Sequence, residues 1–132
     1  MKEFNRRQFI ATASALAAAP VVIKNVEADD ARLVHHVFFW LKNKGSVADR
    51  EKLVEGLKTL AAISEVKKLL IGVPASTEQR GVVDNSYDVS ELMYFEDVKA
   101  QDAYQVHPIH KAFVEKCSQL WEKVVVYDMQ VI

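Results

Sequence analysis

The chain carries a single cysteine, Cys117, among its 132 residues. An intramolecular disulfide is therefore excluded, whatever the redox state of its compartment. On the buried helical face expected for it, the thiol reads as a small inert hydrophobe rather than a nucleophile. No His-Glu-x-x-His or Cys-x-x-Cys signature occurs, so the four histidines come without the usual spacing of a metal site. Charge of one sign is missing too: 17 basic residues stand against 18 acidic ones, a net −1. Without a basic stripe, nucleic acid and anionic membrane surfaces are poor partners. The longest apolar stretch, Ile10 to Ile23, is too short to span a bilayer as a stable helix.

That stretch has a role of another kind. Lys2, Arg6 and Arg7 precede it as a basic region, and residues 1–28 read as an export signal. Asn5-Arg6-Arg7-Gln8-Phe9-Ile10 resembles the twin-arginine signal of the bacterial Tat pathway, which implies a periplasmic or otherwise exported protein. Pro20 argues against cleavage directly after Ala19, whereas Val26-Glu27-Ala28 fits a small-residue cleavage site. The segment takes four basic and two acidic residues with it, leaving 13 basic and 16 acidic, a net −3. After cleavage no stable membrane insertion is expected. Residues 29–132 suffice for one small domain.

Leu33 to Lys42 is rich in β-branched and aromatic residues and predicts a strand ending at Asn43-Lys44-Gly45. Ser46-Val47-Ala48-Asp49 opens a helix as a capping-box variant, with Leu53, Leu57 and Leu60 at helical spacing. Val66 to Val73 predicts a second strand, Pro74 to Asn85 a long polar loop, and Tyr87 to Phe95 a third strand. A short helix over Asp97 to Val106 is followed by another that buries Ile109, Phe113, Cys117, Leu120 and Trp121. Val124 to Ile132 closes the pattern as a strand.

Strand, helix, strand, strand, helix, strand is the ferredoxin-like βαββαβ order of an α+β sandwich. Two helices can cover only one face of a four-stranded antiparallel sheet. Yet the first strand is apolar on both sides, with Val37, Phe39 and Leu41 on one and Phe38 and Trp40 on the other. The expected remedy is a second copy packed sheet against sheet, a homodimeric α/β barrel with an apolar interior.

The chemistry concentrates in Tyr104-Gln105-Val106-His107-Pro108-Ile109-His110. The residue before a proline is pushed out of the α region, so one helix ends near His107. Pro108 suits the first position of the next, where its missing N–H costs nothing. His110 then falls in a first helical turn, whose partial positive charge favours a neutral ring able to accept a proton. Glu91 is the other notable position. It shares a strand face with Tyr87, Val89, Met93 and Phe95, and a carboxylate there must be paired, protonated or at an edge. On a cavity-lining face it could bond His110 or His35.

His35-His36-Val37-Phe38-Phe39-Trp40-Leu41-Lys42, Ile71-Gly72, Phe95-Glu96-Asp97, Tyr104-x-x-His107-Pro108-x-His110 and Trp121-Glu122-Lys123 together resemble the stress-responsive A/B-barrel (Dabb) family. The likeness covers roughly residues 31–130 and implies a dimeric α+β barrel. One branch, similar to plant olivetolic acid cyclase, closes a linear polyketide by aldol condensation without metal or organic cofactor. By position, its catalytic tyrosine and histidine fall on Tyr104 and His110, and a cavity-wall tryptophan falls on Trp121. Gly56 and Val89 depart from that branch, which has polar or aromatic cavity groups there.

The resemblance implies His110 as base and Tyr104 as donor to a developing oxyanion. His35, Glu91, His107 and Trp121 are the expected cavity residues, with no metal and no cofactor. Three functions follow: a cofactor-free lyase or cyclase-like enzyme on a small oxygenated hydrophobic molecule, a binding protein for such a molecule, or a stress-response assembly module. A metal or haem held through His107 and His110 is the remaining alternative.

Overall fold

The computed structural model describes residues 31–132; the expected export signal, residues 1–28, lies outside the described residues. The first strand, β1 (Leu33–Leu41), alternates between buried and partly buried positions along its whole length. Period-two alternation puts Leu33, His35, Val37, Phe39 and Leu41 on one face and His36, Phe38 and Trp40 on the other. Gly45, at φ 83°, makes the left-handed turn out of β1 that a side chain would resist. Helix α1 (Val47–Lys58) then starts as expected, its N-cap Ser46 accepting from the backbone N–H of Asp49. A 3-10 turn, Thr59–Ala62, leads to β2 (Lys68–Gly72), and β3 (Val89–Phe95) follows the polar loop.

Asp97 caps α2 (Val98–Gln105) by accepting from the N–H of Ala100 at 2.8 Å. The chain breaks at His107 and restarts as α3 (Pro108–Cys117), with proline at its first position. The expected last turn of α3 differs. Leu120 belongs to a 3-10 turn, Ser118–Leu120, and Trp121 already opens β4 (Trp121–Gln130). The lysine at 123 and the run Val124-Val125-Val126 continue the strand, and β1 recruits its first residue by pairing Leu41 with Trp121.

All neighbouring strands are antiparallel, in the order β2-β3-β1-β4. This is the ferredoxin-like α+β arrangement, with β1 and β3 central and the helices on one face. The core lies between, built from Leu53, Leu57, Val89, Met93, Phe95 and Phe113 with their neighbours. Gly56 lets α1 and α3 touch: a Cβ there would meet the Cys117 sulfur at 2.5 Å and Phe113 at 3.2 Å. No helix among the described residues is long and apolar enough to cross a membrane.

Candidate active site

The inner face of the sheet is apolar except near its middle. Val37 and Ile71 flank Glu91 from the two neighbouring strands, and His35 sits opposite Met93 one register step away. His35 and Glu91 are the buried polar residues of the core. Above them α2 brings down Tyr104, 1% exposed, and α3 brings His110 against it.

The rings form a chain. Tyr104 and His110 have centroids 4.6 Å apart, His35 and Tyr104 5.9 Å, and Phe95 closes the group at 5.1 Å from Tyr104. The His-Pro break creates this contact, because α2 ends one residue after Tyr104 and α3 presents His110 in its own first turn. An unbroken helix would carry His110 well round the axis from Tyr104, since six residues span about 600° at 3.6 residues per turn.

His110 Nδ1 lies 3.1 Å from the carbonyl oxygen of Gln105. A carbonyl only accepts, so Nδ1 carries the proton and Nε2 of the neutral ring presents a lone pair. Burial pulls the imidazole below its ordinary range, the Gln105 carbonyl bond opposes this, and the nearby His35 adds to it. Burial, the leading cause, thus works in the same direction as the helix-end charge expected from sequence, against the charged ring. Burial first, and the Glu91 carboxyl second, push the Tyr104 phenol upward, so it stays protonated as a donor. Burial likewise pushes the Glu91 carboxyl up to about 8. Its Oε2 is buried without a hydrogen-bond partner.

One side-chain pairing escaped the sequence. His35 Nδ1 contacts Asp128 Oδ1 at 2.6 Å, joining a buried imidazole to a carboxylate on the edge strand. The register places the two directly opposite each other on β1 and β4. The available signal was an acid in phase with Val124 and Val126, which reveals a shared face but not its partner.

The other expected residues stand further off. His107 caps α3: its Nδ1 accepts the N–H of Ile109 at 3.1 Å, so that nitrogen serves the backbone and not a ligand. Trp121 packs on Phe39 and Phe113 with ring centroids 5.1 and 5.8 Å away, and reaches the His110 ring only through Phe113. Val89 is fully buried core. Among the described residues, no group of three His, Cys, Asp or Glu side chains could hold a metal ion. A separate surface cleft of about 350 Å³, bordered by Leu41, Lys44, Arg50 and Asp88, shares no residue with this cluster.

Strand parity left open which sheet face carries the candidate residues, and the helix layer decides it: His35 and Glu91 face the helices. The cluster lies within one protomer, and the open sheet face is its reverse side.

Sheet order, helix layer and the buried histidine–tyrosine cluster define a ferredoxin-like α+β protein with a polar centre beneath its helices. The chain belongs to the family of the stress responsive A/B barrel domain (Dabb), which matches residues 33–131. Among solved structures it is similar to a Dabb protein of Mesorhizobium loti with a ferredoxin-like fold, at 26% identity and TM-score 0.63. That match covers 77% of this chain and 98% of the other. It is also similar to a hydroxynitrile lyase from Passiflora edulis, at 19% identity and TM-score 0.64, over 78% and 95% of the two chains. A dimeric ferredoxin-like protein of unknown function from Thermobifida fusca matches at 22% identity and TM-score 0.61, over 76% and 92%. No curated protein matches.

Proposed function

We propose that the protein is a homodimeric lyase- or cyclase-type enzyme that acts on a small, oxygenated, partly apolar molecule beneath its helices. The observation that carries this reading is the contact of Tyr104 with His110, whose Nδ1 is tied to Gln105. Neutral Nε2 takes a proton from a carbon next to a carbonyl, and the electron pair moves to the carbonyl oxygen. Tyr104 donates its O–H to that developing oxyanion. Removing such a donor from other enzymes costs about 3–4 kcal/mol. A positioned base contributes roughly 100- to 10,000-fold. These steps use side chains alone, so the reading calls for no cofactor. The hydroxynitrile lyase from Passiflora edulis supports the reading as a likeness of fold.

The outer sheet face supports the homodimer, because Leu70, Tyr127 and Met129 are each more than half exposed on it. The dimeric protein from Thermobifida fusca shows the fold in that state. Export rests on Arg6-Arg7 and the apolar run that follows, and would put the protein in the periplasm.

The test is deuterium exchange at the methyl group of small ketones, acetophenone first, followed by NMR in D2O with the full chain. Exchange that falls at least about 100-fold in His110→Ala, with the thermal midpoint kept, supports catalysis. Exchange equal in the two proteins ends the catalytic assignment, as does unfolding of the variant. A second reading, ligand binding without turnover, is favoured by the closure of the pocket around Tyr104, His35 and Glu91, each at most 4% exposed. It predicts saturable ketone binding with no exchange.

A further inference from the structure

Glu91 is expensive as a structural residue. It occupies the middle of a sheet face whose cross-strand neighbours are Val37 and Ile71. It is 3% exposed, and its Oε2 has no hydrogen-bond partner. An unpaired buried polar group is destabilising, and an apolar side chain of similar size would avoid that. The group is therefore left unpartnered on the inner face, two positions along β3 from Met93, the residue opposite His35, and close enough to act on the Tyr104 phenol.

The charge balance of the pocket narrows what Glu91 can meet. His35 is engaged by the Asp128 carboxylate, and burial keeps His110 neutral. The cluster is thus a poor partner for an incoming anion. An ionised Glu91 would stand unpaired beside the Tyr104 phenol, in an environment that penalises charge. A neutral carboxyl carries one O–H donor and Tyr104 carries another. The two groups are near enough for the carboxyl to act on the phenol, and two such donors suit an oxygen with two lone pairs.

We propose that Glu91 is the specificity-determining group of this pocket, donating a hydrogen bond as a carboxylic acid to the oxygen of an uncharged carbonyl compound and rejecting carboxylates. The inference rests on the reading of the pocket as a site for a small oxygenated molecule, and it adds the class of that molecule. The upward displacement of the Glu91 carboxyl to about 8 agrees with it. Of the titratable groups around it, Glu91 acts on the Tyr104 phenol of α2, whose ring in turn meets His35 of β1 and His110 of α3, with Asp128 of β4 bonded to His35.

The test compares acetophenone with benzoate, which present the same ring with a neutral or an anionic head. Binding to the full chain is followed by calorimetry and by NMR shifts of the histidine rings at pH 6.5. Acetophenone is expected to bind at least about tenfold tighter than benzoate, the scale of one hydrogen bond to an otherwise unpaired group. Glu91→Leu, which keeps an apolar core side chain, should weaken acetophenone about tenfold and abolish the preference. Glu91→Gln, which retains a donor, should bind within about threefold of the native protein and lose the weakening seen as pH rises past 8. Unchanged acetophenone binding in Glu91→Leu overturns this inference alone, leaving the Tyr104–His110 reading intact. Preference for benzoate in the native protein does the same. Failure of acetophenone to bind the native protein at all removes both.

Discussion

The two faces of one sheet obey different rules. On the inner face Val89, Met93 and Phe95 are fully covered by helices, and the polar residues among them are costly enough to need a reason. On the outer face Phe38 meets His36, Tyr87 and Tyr127 at ring distances of 4.2 to 6.0 Å with much of the surface open. Lys123 Nζ lies over the Trp40 ring there at 4.6 Å, an exposed contact that screens part of an aromatic surface. The inner face holds the buried polar cluster and the outer face holds exposed apolar area. A buried carboxyl on one side and exposed tyrosine on the other are two departures from ordinary patterning, with opposite explanations.

The sharpest way to break this contrast is a pair of truncations. Met93→Ala on the inner face should cost about 2–5 kcal/mol, measured by chemical denaturation. Tyr127→Ser on the outer face should cost no more than about 0.5 kcal/mol of protomer stability while shifting the assembly toward monomer in light scattering. Equal losses from both would erase the distinction.

Next in size is the pH response of Glu91. Its carboxyl sits at about 8 in the folded chain against an ordinary value of 4.5. Between these values the unfolded chain releases a proton that the folded chain keeps. Stability attached to this group is therefore complete below about 4.5 and declines as pH rises toward 8. Glu91→Gln should flatten that decline, gaining on the order of a few kcal/mol over the native protein at the alkaline end. Parallel melting curves from pH 5 to about 8 would show Glu91 to be paired or wet.

Gly56→Ala probes the helix layer that seals the inner face. The added methyl must displace Cys117 and Phe113, at a cost of about 1–3 kcal/mol in thermal or denaturant unfolding. His107→Ala should have the smallest effect, about 1 kcal/mol, the usual value of a lost N-cap. Ligand binding should be retained in that variant, because the His107 Nδ1 bond goes to the Ile109 backbone.

Much of this was legible in the chain. Local signals worked where a residue acts through its own backbone: Ser46 and Asp97 cap helices, and Pro108 starts one. Alternation in β1 and β3 put His35 and Glu91 each among apolar neighbours, but parity alone left the direction of that face undecided. The helices decide it. The Asp128 contact was hidden because strand register joins residues 93 positions apart, and no local pattern encodes that pairing. His107 looked like a ligand for a similar reason: an imidazole after a helix can cap or coordinate, and only the Ile109 geometry separates the two. Trp121 was drawn into the preceding helix by its spacing from Phe113 and Cys117, whereas pairing with Leu41 made it a strand residue.

The central claim is that the fold holds the His110 imidazole uncharged against a protonated phenol. It is tested most directly by an NMR pH titration of the His110 ring in the native protein, with His107→Ala to aid assignment. The account predicts a midpoint below the ordinary 6.5, with the neutral ring protonated on Nδ1. A midpoint at or above 6.5, or a neutral ring protonated on Nε2, would contradict it.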